Sequence, residues 1–164
     1  MKLIKIIGLF LLSKSLLATP VPHHRYDPSH PQYVVVKPEA LKWKQVPNLP
    51  EGISFVILEG KTLKAKGPFT IRQTLPPYTN ILPHYHTSAE HLTVLSGVFC
   101  TKPGKVFDKK DGYCLPAGSY QVNPPMLAHM GWTGKEGAVV QINGVGPWNR
   151  VYIDTAPAQH HKTT

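Results

Sequence analysis

Four histidines and a glutamate are the residues of this sequence whose types and spacing suit joint chemistry. His84, His86 and His91 fall within the run PHYHTSAEH, together with Glu90, and His129 follows an Asn-Pro-Pro turn further on. His84 and His86 are two positions apart, so on an extended segment both rings project from one face. Glu90 lies four positions beyond His86, within reach after a bend at Thr87 and Ser88. Two imidazoles and a carboxylate form a mixed nitrogen and oxygen donor set that suits Fe, Mn, Ni, Cu or Zn better than Ca or Mg. A fourth donor must come from elsewhere, and His129 is the remaining histidine inside the folded region. His91 adjoins Glu90 and would face the other way on a strand, as a packed or supporting residue. The other five, His23, His24, His30, His160 and His161, belong to Pro-rich or polar ends and read as solvated side chains.

Softer candidates surround this cluster. Arg72 and Gln73 are adjacent on one apparent strand, so only one of them can face inward, and Arg72 reads better as a surface residue. Gln141 lies on a late strand. An inward Gln or Arg beside a metal could orient a carboxylate or oxyanion. Trp132, Trp148, Tyr120 and Tyr152 read as packing. The sequence holds no Gly-rich phosphate loop, nucleophile elbow or zinc-finger cysteine spacing.

The elements that must position these residues are short. With 17 Pro and 13 Gly in 164 residues, the chain is divided into brief segments, because proline is excluded from helix interiors and from central sheet ladders. The β-like runs are YVVV (33–36), ISFVILE (53–59), FTIRQTL (69–75), HLTVLSGVFCT (91–101), SYQVN (119–123), AVVQING (138–144) and RVYID (150–154). Turn signals separate them at LPEG, KGP, PPYTN, KKDG, LPAG, NPP, TGKEG and GVGP. One helical turn is expected around PEALKW, residues 38–43, and no window sustains a 3.6-residue apolar period. Many short strands with little helix predict an all-β sandwich or barrel, and exclude a coiled coil or helical bundle.

The ends read differently. Residues 1–18 combine a basic start, an apolar run from Ile6 to Leu12 and small residues near a cut after Ser15 or Ala18, the pattern of a secretory signal peptide. The apolar stretch is shorter than the ~20 residues a membrane span needs, so no stable anchor is expected after cleavage. Residues 19–33 form an extended Pro/His-rich lead-in, and residues 156–164 a flexible tail. Removing Lys2, Lys5 and Lys14 with the leader turns the formal charge of +9 into 15 basic against 9 acidic side chains, or +6. That charge is dispersed, which argues against nucleic acid as a partner. Cys100 and Cys114 are the only cysteines, and in a periplasmic or secreted protein an even count suggests one disulfide, the alternative being two buried thiols.

Two stretches together resemble the cupin superfamily, and in particular its small single-domain bacterial members. His84, His86, Glu90 and Gly97 match the spacing of the first cupin motif, and Gly118, Pro124 and His129 that of the second. The likeness extends over roughly residues 34–155, with LPAGSY and GVGPW also typical. Tyr78 and Met126 stand where the motifs usually have Gly, and Thr133 where the second closes with Asn, so the shape of those turns is in question. The resemblance implies an antiparallel jelly-roll barrel with His84, His86, Glu90 and His129 holding one divalent metal in its mouth. Open coordination positions would then serve water, oxygen or a chelating substrate. Two functions follow from that expectation. One is an exported metal-dependent enzyme, dioxygenase-like or isomerase-like, acting on a small oxygen-rich or anionic molecule. The other is a non-catalytic module that binds or senses a metal or small ligand. A homodimer is compatible with either.

Overall fold

A computed structural model describes residues 34–45 and 49–153; the expected signal peptide, the lead-in and the tail lie outside the described residues. Among the described residues, nine strands follow one short 3-10 turn at Pro38–Ala40. They are β1 (Lys44–Gln45), β2 (Ser54–Glu59), β3 (Gly67–Leu75), β4 (Asn80–His86), β5 (Glu90–Pro103), β6 (Tyr113–Pro116), β7 (Tyr120–Asn123), β8 (His129–Gly146) and β9 (Arg150–Tyr152). All pairings are antiparallel. The strands make one curled sheet, the expected all-β jelly roll, and among the described residues no helix is long and apolar enough to cross a membrane.

Two long strands produce the curl. The second half of β8 pairs with β3 from Leu75↔Ala138 to Gly67↔Gly146, while its first half pairs with β4 through Asn80↔Trp132 and His84↔His129. Likewise β5 pairs with β7 through its first half and with β6 through its second. Both strands therefore pass from one side of the barrel to the other. The bend lies where Gly97 pairs with Ala138 and Phe99 with Thr133, leaving Gly134, Lys135 and Glu136 as an exposed excursion within β8. The TGKEG segment, expected as a turn between strands, is thus a wide bulge inside one strand. Gly97 at φ +70° belongs to the same corner, where a Cβ would collide with the Gly137 carbonyl.

Alternating residues of the central strands meet in one core. On β3, Phe69, Ile71, Gln73 and Leu75 are buried while Thr70, Arg72 and Thr74 are only half-buried. Leu92 and Val94 of β5 and Val140 and Ile142 of β8 join the same cluster, with Trp148. Each fully buried side chain of this size contributes about 1.5–3 kcal/mol.

Three other expectations need correction or completion. Val34, Val35 and Val36 form no strand, being exposed and without a ladder partner; Pro38, which begins the 3-10 turn, supplies no donor there. Strand β4 was not among the expected runs because Pro83 interrupts it. That proline sits where the register of β4 against β8 shifts between Ile81 and His84, at a bulge that tolerates a missing donor. Strand β6 brings Cys114 directly opposite Cys100 of β5, and the two form a disulfide. A disulfide points to an oxidising compartment.

Candidate metal centre

Strand β4 presents His84 and His86 on one face, as their spacing of two requires. The end of the NPP turn starts β8 at His129, which pairs directly with His84. The candidate ligand nitrogens of these three buried histidines all lie within 4.8 Å of one another. Glu90, the first residue of β5, adds a buried carboxylate on the His86 and His129 side. Its Oε1 lies 3.5 Å from His86 Nε2, and its Oε2 3.4 Å from His129 Nε2.

Hydrogen bonds set the rings. Each Nδ1 lies against a backbone carbonyl: His84 with Leu82 at 2.8 Å, His86 with Asn149 at 3.2 Å, and His129 with Leu127 at 2.9 Å. A carbonyl can only accept, so each Nδ1 carries the proton and each Nε2 keeps its lone pair. His86 Nε2 is buried with no hydrogen-bond partner. Asn123 of β7 donates to Glu90 Oε2 at 2.7 Å, and the Trp148 ring stacks on His86 at 4.0 Å with an interplanar angle of 13°.

The protonation states follow from burial and neighbours. Burial, reinforced by the guanidinium of Arg150 and by His129, holds the His84 imidazole down to about 2. Burial also holds His86 down to about 4, despite the pull of Glu90. For Glu90 burial pushes upward, but His129 and His86 beside it and the Asn123 amide donor outweigh it and hold the carboxyl at about 2. At neutral pH His84 and His86 are thus neutral and Glu90 is ionised, the states in which these groups ligate. The donor set fits a divalent transition metal, and the partnerless Nε2 of His86 is the kind of atom such an ion would satisfy.

One cavity among the described residues is lined by the cluster, and a second shares two residues with it. The inner one, about 20 Å³, lies among His84, Glu90, His129, Gln121, Asn123 and core residues such as Leu92 and Phe99. It has room for a water. The outer one, about 480 Å³, is bounded by Leu49, Phe55, Leu63, Ile71 and Trp148, with Lys64, Asn149 and Tyr152. Gln73 and Arg150 line both.

Of the softer candidates, Gln73 faces the interior beside the cluster. Arg72 and Gln141 line neither cavity: they pair across β3 and β8 on the other face, where Arg72 Nε donates to Gln141 Oε1 at 3.1 Å. His91 also faces away from the cluster, its Nδ1 2.6 Å from the Tyr120 hydroxyl. Support for the cluster comes instead from Asn123, Trp148 and three carbonyls, and Arg150 is the cation beside it. Sequence reasoning passed over Arg150 because its strand is three residues long and its proximity to His86 arises only from the β4–β9 pairing.

The residues at the departures from the cupin motifs take up the turns themselves. Tyr78 and Met126 adopt φ of 58° and 64°, the left-handed region that the usual glycines would occupy freely. The Met126 amide donates to the His86 carbonyl at 2.9 Å, and Thr133 Oγ1 bridges the Thr79 amide and the Pro76 carbonyl.

Comparison with known proteins agrees with this architecture. Residues 31–147 match the family described as the ChrR cupin-like domain. No curated protein sequence matches the chain. Among solved structures, the polyketide cyclase RemF from Streptomyces resistomycificus is similar with a TM-score of 0.64 at 14% identity, covering 76% of this chain and 88% of that one. KdgF from Halomonas sp. gives a TM-score of 0.53 at 15% identity, over 69% and 93% of the two chains. An RmlC-like cupin from Shewanella frigidimarina NCIMB 400 gives 0.54 at 14% identity, over 67% and 87%. At such identities the likeness is one of fold.

Proposed function

The chain belongs to the ChrR cupin-like domain family, and from that premise we propose that it is an exported protein holding one divalent transition metal through His84, His86, His129 and Glu90. On this reading it is a metal-dependent enzyme, dioxygenase-like or isomerase-like, acting on a small oxygen-rich or anionic molecule. The observation that carries the proposal is the fixing of three Nδ1 atoms on carbonyls, which leaves the Nε2 atoms of three adjacent imidazoles as bases, one of them buried and partnerless. A bound Fe, Mn, Ni, Cu or Zn would supply Lewis acidity, and a redox-active one electron transfer with O₂. The protein's own residues do the rest. Asn123 keeps the Glu90 carboxylate oriented, and Trp148 holds the His86 ring in place. Gln73 and Arg150 offer hydrogen bonds to a ligand entering from the outer cavity, whose volume of about 480 Å³ suits a small molecule. Export is supported by the leader-like residues 1–18 and by the disulfide.

A second reading, a non-catalytic binding or sensing module, has one observation in its favour. The cavity inside the barrel beside the donors is only about 20 Å³, so nothing larger than water enters the interior itself. Turnover separates the two. Metal analysis of purified protein beside His84→Ala should show about one equivalent in the parent and at least a tenfold weaker retention in the variant. Equal metal content in both would defeat the metal assignment. If the parent binds Fe(II) yet consumes no oxygen with candidate phenols or keto acids, the dioxygenase form falls.

A further inference from the structure

Strand β9 runs antiparallel along β4 so that Arg150 lies directly opposite His86, and Tyr152 opposite His84. Directly opposed residues share a face of the sheet, so Arg150 stands on the histidine side. Its Nε is buried and has no hydrogen-bond partner, and among the described residues no carboxylate pairs with its guanidinium. The one acid in the cluster, Glu90, is already engaged by two histidines and Asn123. A cation with a partly desolvated, unpaired donor is costly to maintain unless something anionic meets it. Gln73, also buried, lines the same two cavities as Arg150.

The outer cavity supplies the complementary surface. Its walls are mainly the apolar side chains of Phe55, Leu63, Ile71 and Trp148, and its other cation is Lys64. Among the described residues, no acidic one lines it. Such a space rejects a polyhydroxylated or cationic guest, since many of its polar groups would lose water without replacement. It accepts an apolar body that ends in one anionic group, and a planar carboxylate is the group the guanidinium fork matches in two hydrogen bonds.

We propose that the outer cavity binds a monocarboxylate with an apolar body, its carboxylate taken by Arg150 at the wall shared with the histidine cluster and its body lying against Trp148 and Phe55. This names the substrate class for the site of the preceding section and rests on that reading only for what happens after binding. The carboxylate itself is held by protein groups. Lys64 draws the anion toward the pocket from a greater distance and Arg150 fixes it.

Titration of the purified protein with 4-phenylbutyrate, followed by calorimetry and tryptophan fluorescence, tests the proposal. The neutral 4-phenylbutyramide serves as the isosteric control. The acid should bind saturably at one site and at least tenfold more tightly than the amide. Arg150→Gln should lose at least tenfold for the acid and change little for the amide, with Arg150→Lys intermediate. Melting temperature and bound metal measured on each variant separate loss of binding from loss of fold. Equal binding of acid and amide, binding unaffected by Arg150→Gln in a folded protein, or no binding of either probe would overturn the proposal. The same titration after chelator treatment distinguishes the two levels. Binding that persists in protein found to hold no metal upholds the carboxylate site while the metal assignment fails. Full metal occupancy without discrimination between acid and amide does the reverse.

Discussion

At the scale of single residues, the centre is held in a ready protonation state by its surroundings, and this makes acid a specific threat to the metal-free fold. In an unfolded chain a histidine titrates at 6.5, whereas in the fold burial keeps His84 neutral down to about 2 and His86 down to about 4. As pH falls below 6.5 the unfolded chain takes up protons that the fold refuses, so stability declines. For His86 that loss accrues between 6.5 and about 4, and for His84 between 6.5 and about 2. Glu90 acts lower down, its contribution being complete above 4.5 and lost as pH falls through about 2. The melting temperature of metal-free protein should therefore drop steadily from pH 6.5 to 5, and His84→Asn/His86→Asn should show a flatter profile. Parallel profiles would contradict it. The pair His84 and His86 was legible in the sequence because strand periodicity alone puts two such rings on one face. Their fixing by the carbonyls of Leu82, Asn149 and Leu127 was not, since main-chain acceptors carry no residue signature.

At the scale of elements, the turns and corners beside the cluster obey opposite rules, and substitutions should separate them. Met126 is 61% exposed and Tyr78 73%, yet both hold a left-handed backbone that costs a non-glycine residue about 1 kcal/mol. Met126→Gly relieves that strain but adds freedom to the unfolded chain, so it should leave stability within about 1 kcal/mol of the parent. Gly97→Ala meets the same backbone conformation and, in addition, the Gly137 carbonyl at the β5–β8 corner, and should cost about 2–3 kcal/mol. Chemical denaturation of the two variants measures the contrast, and comparable losses in both would show that the corner is less tightly set than described. The strand runs ISFVILE, FTIRQTL and SYQVN reported their elements well because alternation and turn residues bracket them. The NILPHYH segment hid its strand behind Pro83, and TGKEG hid the continuity of β8 behind two glycines. Both failures share a cause: bulges admit Pro and Gly into long pairings, and only the partner strand reveals them.

At the scale of the molecule, the all-β architecture was legible because proline density and short apolar runs leave few alternatives, and the two cupin motifs then named the fold. The outer cavity was not legible, since its walls come from β2, β3, β9 and the segments between strands, distant in sequence. The export expected from residues 1–18 belongs to this scale as well. Protein recovered from the exported fraction should have the intact mass of a chain beginning after Ser15 or Ala18, with Cys100 and Cys114 resistant to thiol reagents. A full-length mass in that fraction would refute cleavage. The short strand β9 has a consequence in time. A growing chain contains His84, His86, Glu90 and His129 before it contains Trp148, Asn149 and Arg150. Because Asn149 supplies the acceptor for His86 Nδ1, the last strand also completes the ring order of the first donors. Synthesis thus lays down the four clustered side chains early and the strand that orders them last, so their arrangement is completed only when the final strand pairs with β4.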